Sequence, residues 1–93
     1  MDEINYNLLS PYELGETRKV HAIPFLNTYL QNGSIGEKRL AASAINKLSI
    51  LHKKEVLTSI PHLLKNLSLD APQLRQYTLK ALCSMENLKG IPS

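Results

Sequence analysis

Residues 58–67 read TSIPHLLKNL, and residues 21–30 read HAIPFLNTYL. Each stretch sets Ile-Pro ahead of two leucines at matching places, Leu63 and Leu67 in one, Leu26 and Leu30 in the other. The match extends outward. Slid by 37 residues, 14–48 falls onto 51–85 without a gap. Leu14 then meets Leu51, Ile23-Pro24 meets Ile60-Pro61, and Ala44 meets Ala81. Conservative pairs fill the rest: Val20 with Leu57, Lys38 with Arg75, Ile45 with Leu82, Leu48 with Met85. A fixed period of this length signals stacked helix pairs, in which each pair needs a neighbour to bury its apolar face.

The prolines fit that reading. Proline removes one backbone donor and crowds the turn before it, a small cost early in a helix and about 3 kcal/mol in its interior. Apolar spacing running back to Val20 and Val56 predicts helices that begin a turn or two before Pro24 and Pro61, with a bend there. The first covers 17–31, with Val20, Ala22, Ile23, Phe25, Leu26 and Leu30 inward. Asn32-Gly33 ends it. The other covers about 54–67, with Val56, Leu57, Ile60, Leu63, Leu64 and Leu67 inward.

Between and around them stand start signals. Ser10-Pro11-Tyr12-Glu13 is a capping box with proline at the first helical position. Gly15 then limits this helix to about 11–15. Ser34-Ile35-Gly36-Glu37 is a second box, opening a helix to Ile50 with Leu40, Ala41, Ala44, Ile45 and Leu48 on one side. Asp70-Ala71-Pro72-Gln73 starts the last, about 72–86, with Leu74, Tyr77, Thr78, Ala81, Leu82 and Met85 inward. The tail NLKGIPS is expected to fray. No stretch alternates as a strand would.

Residues 60–82, IPHLLKNLSLDAPQLRQYTLKAL, resemble a HEAT repeat. Ile60-Pro61, Leu63, Leu64, Leu67, Pro72, Leu74-Arg75, Ala81 and Leu82 fall in register with that family's pattern. Residues 23–45 match it more loosely, through Ile23-Pro24, Leu26, Leu30, Ala41, Ala42, Ala44 and Ile45. The resemblance spans roughly 14–86. It implies an all-α chain: a short right-handed α-solenoid of two HEAT-like hairpins with an N-terminal capping segment. The parts would be the cap at 1–16, with Ile4, Leu8 and Leu9 closing one end, repeat one at 17–50, repeat two at 51–86 and a tail at 87–93. It also implies that Lys38 and Arg75 occupy a structural arginine position. Three features depart from the family, the first being that Gly33-Ser34-Ile35-Gly36 replaces its acidic turn. Glu37 stands where an aliphatic belongs, and Asp70 lies one residue off the turn aspartates that pair with that arginine.

Composition narrows the function classes. The chain has 93 residues, 43% hydrophobic and 20% charged, with one Phe, four Tyr and no Trp. Its lone Cys83 excludes an internal disulfide and fits a reducing compartment, so the cytoplasm is expected. No apolar run reaches the ~20 residues of a membrane span. Net charge is +3, unevenly placed. Residues 18–80 hold ten Lys/Arg against three acids, whereas Asp2, Glu3, Glu13 and Glu16 make the N-terminal arm acidic.

Catalytic patterns are missing. His21, His52 and His62 have no second His or Cys at the i+3 or i+4 spacing of a helical metal site, and Glu55, three residues after His52, makes an ordinary surface pair. Cys83 and Ser43, Ser49, Ser59 and Ser84 lie in no nucleophile turn, and no phosphate-cradling glycine loop is present. The reading is therefore non-catalytic, with no metal and no cofactor. What remains is basic: Arg39, Ser43 and Lys47, then Gln76, Lys80 and Ser84, stand in columns on the second helices. The resemblance implies that those helices line a groove. This predicts an interaction or scaffold module whose partner is another protein, the rest of a longer chain, or a second copy at an open end. The alternative is a nucleic-acid-contacting accessory module, such as the N-terminal part of a larger helicase-like enzyme, although no motif here carries the helicase likeness. Scarce aromatics disfavour base stacking.

Overall fold

The two serine boxes start helices as their spacing predicts. Ser10 Oγ accepts from the Glu13 amide at 3.2 Å, and Glu13 Oε1 accepts from the Ser10 amide at 2.9 Å. Ser34 and Glu37 make the same reciprocal pair. These caps satisfy backbone donors that have no partner inside a helix. They open α1 (Pro11–Thr17) and α3 (Ile35–Leu51). Between them lies α2 (Ile23–Asn32), and α4 (Ile60–Asn66) and α5 (Pro72–Lys89) follow. This computed structural model describes residues 5–89, with side chains to residue 85. The described residues are all-α, with no strand.

Both Ile-Pro pairs sit at the first two positions of an α-helix, Pro24 in α2 and Pro61 in α4. There proline removes an amide that lacks an intrahelical acceptor anyway. The upstream apolar residues do not extend the α-helix as expected. They form 3-10 turns instead, Val20–Ala22 and Glu55–Ser59, each ending just before the isoleucine. The elements repeat with the sequence period: α2 and α4 begin at 23 and 60, and α3 and α5 at 35 and 72.

Helix α1 runs past Gly15 to Thr17, further than the sequence suggests. Arg18 stops it in a left-handed conformation (φ 57°), with its amide bonded to the Gly15 carbonyl at 3.3 Å. Gly15 is a contact residue rather than a breaker. A Cβ placed on it would lie 2.7 Å from the Ala44 Cβ, so glycine is what lets α1 approach α3.

Helix α3 is the centre of the packing, flanked by α1 and α5 and backed by α2. Helix α4 packs on α5, and α2 meets α4 and the turn before it. The Cα envelope measures 45 × 30 × 16 Å. Its short dimension suits two helix layers, given interaxial spacings of ~8–10 Å. Leu14, Leu26, Leu30, Ile45, Leu48, Leu63 and Met85 form the buried centre. Of the residues expected inward, Leu64 is the exception, 54% exposed. Within the described residues nothing covers its side of α4.

Polar ties repeat as well. Tyr29 and Asn66 hold equivalent positions on α2 and α4, and both reach back to the preceding unit. The Tyr29 hydroxyl donates to the Leu9 carbonyl at 3.0 Å, and Asn66 Nδ2 donates to the Leu30 carbonyl at 3.1 Å. Lys47 and Ser84 are equivalent on α3 and α5. Lys47 Nζ donates to Glu16 of α1 at 2.8 Å, and Ser84 Oγ donates to Asn46 Oδ1 of α3 at 2.6 Å. Of the residues expected to close the N-terminal end, Leu9 packs on the core and Leu8 does not, and Tyr6 joins it. Tyr6 stacks on Phe25 at 5.5 Å, while Leu8 is 78% exposed. Helix α5 continues to Lys89, past its expected end at 86, and Ile4 and residues 90–93 lie outside the described residues.

Candidate interaction surface

The face of α3 that meets α5 carries Arg39, Ala42 and Asn46, spaced as one helical stripe. Helix α5 covers it. The Arg39 guanidinium lies over the Tyr77 ring at 5.7 Å, Ala42 is fully buried, and Asn46 accepts from Ser84. The equivalent stripe on α5 is Gln76, Leu79 and Cys83. All three are exposed, and with Tyr77 and Lys80 they line a hollow of about 390 Å³. Pro72, Gln73 and Arg75 extend it along the first turns of α5 as a second concavity of about 290 Å³ shared with Gln76 and Leu79. On α4 the same shift occurs. Asn27 of α2 faces the next unit, where Nδ2 donates to Thr58 Oγ1 at 3.2 Å and Oδ1 accepts from Ser59. Its equivalent is the exposed Leu64.

The six residues expected in one set of columns separate. Gln76 and Lys80 line the α5 hollow. Arg39 and Ser84 are half-buried between α3 and α5, and Ser43 is half-buried too. Lys47 turns the other way, onto Glu16 and over the Tyr12 ring at 5.1 Å. The hydrogen bond from Lys47, and then its charge, hold the Glu16 carboxyl below the ordinary glutamate range. Lys38 and Arg75 make no ion pair among the described residues. Arg75 Nη2 instead donates to the Leu69 carbonyl of its own turn at 3.0 Å.

Leu79 is the site residue that sequence reasoning missed. The signal was present: a leucine stands in register with a core alanine, too large for the same close contact and too apolar for an ordinary exposed helix face. Cys83 is exposed at the rim of the hollow. The histidines are apart. His52 Nε2–H donates to the Arg18 carbonyl at 2.9 Å, which fixes its tautomer, and His21 stacks on Tyr6. Among the described residues no three His, Cys, Asp or Glu side chains gather, and no helix is long and apolar enough to cross a membrane. In comparison with known proteins, no family model, no curated protein and no solved structure matches this chain.

Proposed function

We propose that the protein is a non-catalytic interaction module, a short right-handed α-solenoid of HEAT-like hairpins that receives a helix of another protein on the outer side of α5. One observation carries this reading: Leu79 is 47% exposed where its equivalent, Ala42, is fully buried. The stripe that α3 uses to hold α5 is repeated on α5 with nothing laid on it among the described residues. Leu64 adds a second apolar side chain on the matching edge of α4. Large apolar groups rimmed by polar ones mark interaction sites. Lys80 and Arg75 give the rim a positive sign, so acidic helices are the favoured partners. A free exposed thiol suits a reducing, cytoplasmic setting.

The nucleic-acid alternative ranks second because two of its expected cations are engaged, Arg39 on Tyr77 and Lys47 on Glu16. A benzophenone attached to Cys83 tests the choice. Irradiation in a lysate of the source cells should give a discrete protein adduct that Leu79→Glu abolishes. A smear unaffected by Leu79→Glu sinks the proposal. So does tight binding of duplex or single-stranded DNA at ~50 mM salt, where charge-driven contacts are strongest.

A further inference from the structure

A second concavity, away from the α5 hollow, lies between α2, α3 and α4. Its volume is about 210 Å³, and Lys38, His62 and Lys65 line it without any carboxylate among the lining side chains. The sequence dictates the convergence. His62 and Lys65 are three residues apart and share one face of α4. Lys38, in the first turns of α3, faces them because α2 and α3 are joined by a tight turn at Gly33-Ser34. Leu30 and Leu69 supply the apolar floor, and Gln31 an amide at the edge.

No carboxylate pairs with these cations among the described residues. Among the described residues the one ion pair is Lys47 with Glu16. Five of the carbonyls at the ends of the neighbouring helices already accept a hydrogen bond. Tyr29 accepts from the Gly33 amide and Leu30 from Asn66. Leu64, Lys65 and Asn66 accept from the amides of Leu67, Ser68 and Leu69. Ser68 Oγ donates to the Lys65 carbonyl as well. Lysine in the last turn of a helix answers the helix dipole. That accounts for Lys65 and leaves Lys38 and His62 on the same cleft unexplained.

We infer that this cleft binds a phosphate monoester, held by Lys38 and Lys65 with His62 as an added donor. Charge selects the ligand class. Two ammonium groups match the ≈ −1.5 to −2 charge and three acceptor oxygens of a phosphomonoester better than they match a carboxylate or a phosphodiester, which carry one charge each. The site is independent of the α5 face and does not rest on the proposed docking there.

Amide chemical shifts of the intact chain provide the test, read at constant ionic strength. Inorganic phosphate should move resonances at Lys38, His62, Lys65 and Asn66 in a saturable way, and acetate should not. Lys38→Met with Lys65→Met should weaken the response at least about tenfold, as expected for two charge-assisted contacts, while Lys80→Met leaves it intact. A 5′-phosphorylated oligonucleotide and a phosphoserine peptide should each bind at this cleft only while the monoester is present. The inference is overturned by a phosphate response spread over the surface, by one that survives the double substitution in a folded chain, or by oligonucleotide binding indifferent to the terminal phosphate.

Discussion

Helices α3 and α5 occupy equivalent places in the repeat and meet different fates. Helix α3 is covered on both flanks, by α1 through Gly15 and Ala44 and by α5 through Arg39, Ala42 and Asn46. Helix α5 is covered on the α3 side, where Thr78, Ala81 and Met85 are buried, and bare on the other among the described residues. The side chains follow this difference. A stripe that must admit a helix closely carries alanine, and the stripe left bare carries leucine, glutamine and cysteine. One fold unit therefore supplies both a core helix and a surface helix. Stacking order decides which face is buried and which is left open among the described residues.

The comparison can be broken by the same charge placed on both stripes. Ala42→Asp puts an unpaired carboxylate into a fully buried position and should cost about 3 kcal/mol or more, a large part of the ~5–15 kcal/mol expected for a domain. Leu79→Asp should stay within about 0.5 kcal/mol, as substitutions on an open surface do. Urea denaturation of the two variants measures both. Equal losses would mean that the outer side of α5 is buried in the native protein.

Glycine sharpens it next. At Gly15 an added methyl meets Ala44, so Gly15→Ala should destabilise by about 1–2 kcal/mol, overpacking outweighing the gain in helix propensity. At Gly36, in the first turn of α3, the nearest atom to such a methyl is Ser34 Oγ at 4.0 Å. Gly36→Ala should therefore stabilise by about 0.5–1 kcal/mol. Thermal melts of the pair would show shifts of opposite sign.

This pair also marks what the sequence makes legible. Serine boxes, the Asp70-Ala71-Pro72 start and the period of the leucines are local signals. They placed α1, α3 and α5 to within a few residues, and the inward faces with Leu64 as the one reversal. Gly15 misled because a glycine carries no sign of whether a turn or a neighbouring helix requires it. The proline-led helices were drawn too long because 3-10 and α turns bury similar residues. The basic columns dispersed because Arg39, Ser84 and Lys47 are placed by partners more than 30 residues away, at Tyr77, Asn46 and Glu16. Side-chain direction toward a distant helix has no periodic signature.

Thr78 lies on the covered side of α5, fully buried, and its hydroxyl has no hydrogen-bond partner among the described residues. Its equivalent on α3 is Ala41, which is buried and apolar. Thr78→Val keeps the shape and removes the stranded hydroxyl, so it should stabilise by about 1 kcal/mol. A fall in the urea midpoint would mean that a water or a neighbouring group satisfies the hydroxyl, and that the α3–α5 seam is wetter than its apolar surroundings suggest.

The smallest effect lies on the α1 flank, where Lys47 and Glu16 join helices across an exposed seam that Ser84 and Asn46 close on the α5 side without charge. The bond to Lys47 depresses the Glu16 carboxyl in the folded chain. A depressed acid stabilises the fold above its unfolded pKa, and the contribution disappears as pH falls through the folded value. The stability gap between the protein and Glu16→Gln should therefore be present at neutral pH and close on acidification, below the ordinary glutamate pKa of about 4.3. Both side chains are substantially exposed, so added salt should narrow the gap as well. The Ser84–Asn46 contact has no titrating group. Ser84→Ala should lower stability by the same amount at neutral and at acid pH, and a pH-dependent loss there would show that the two flanks of α3 are not held by different chemistry.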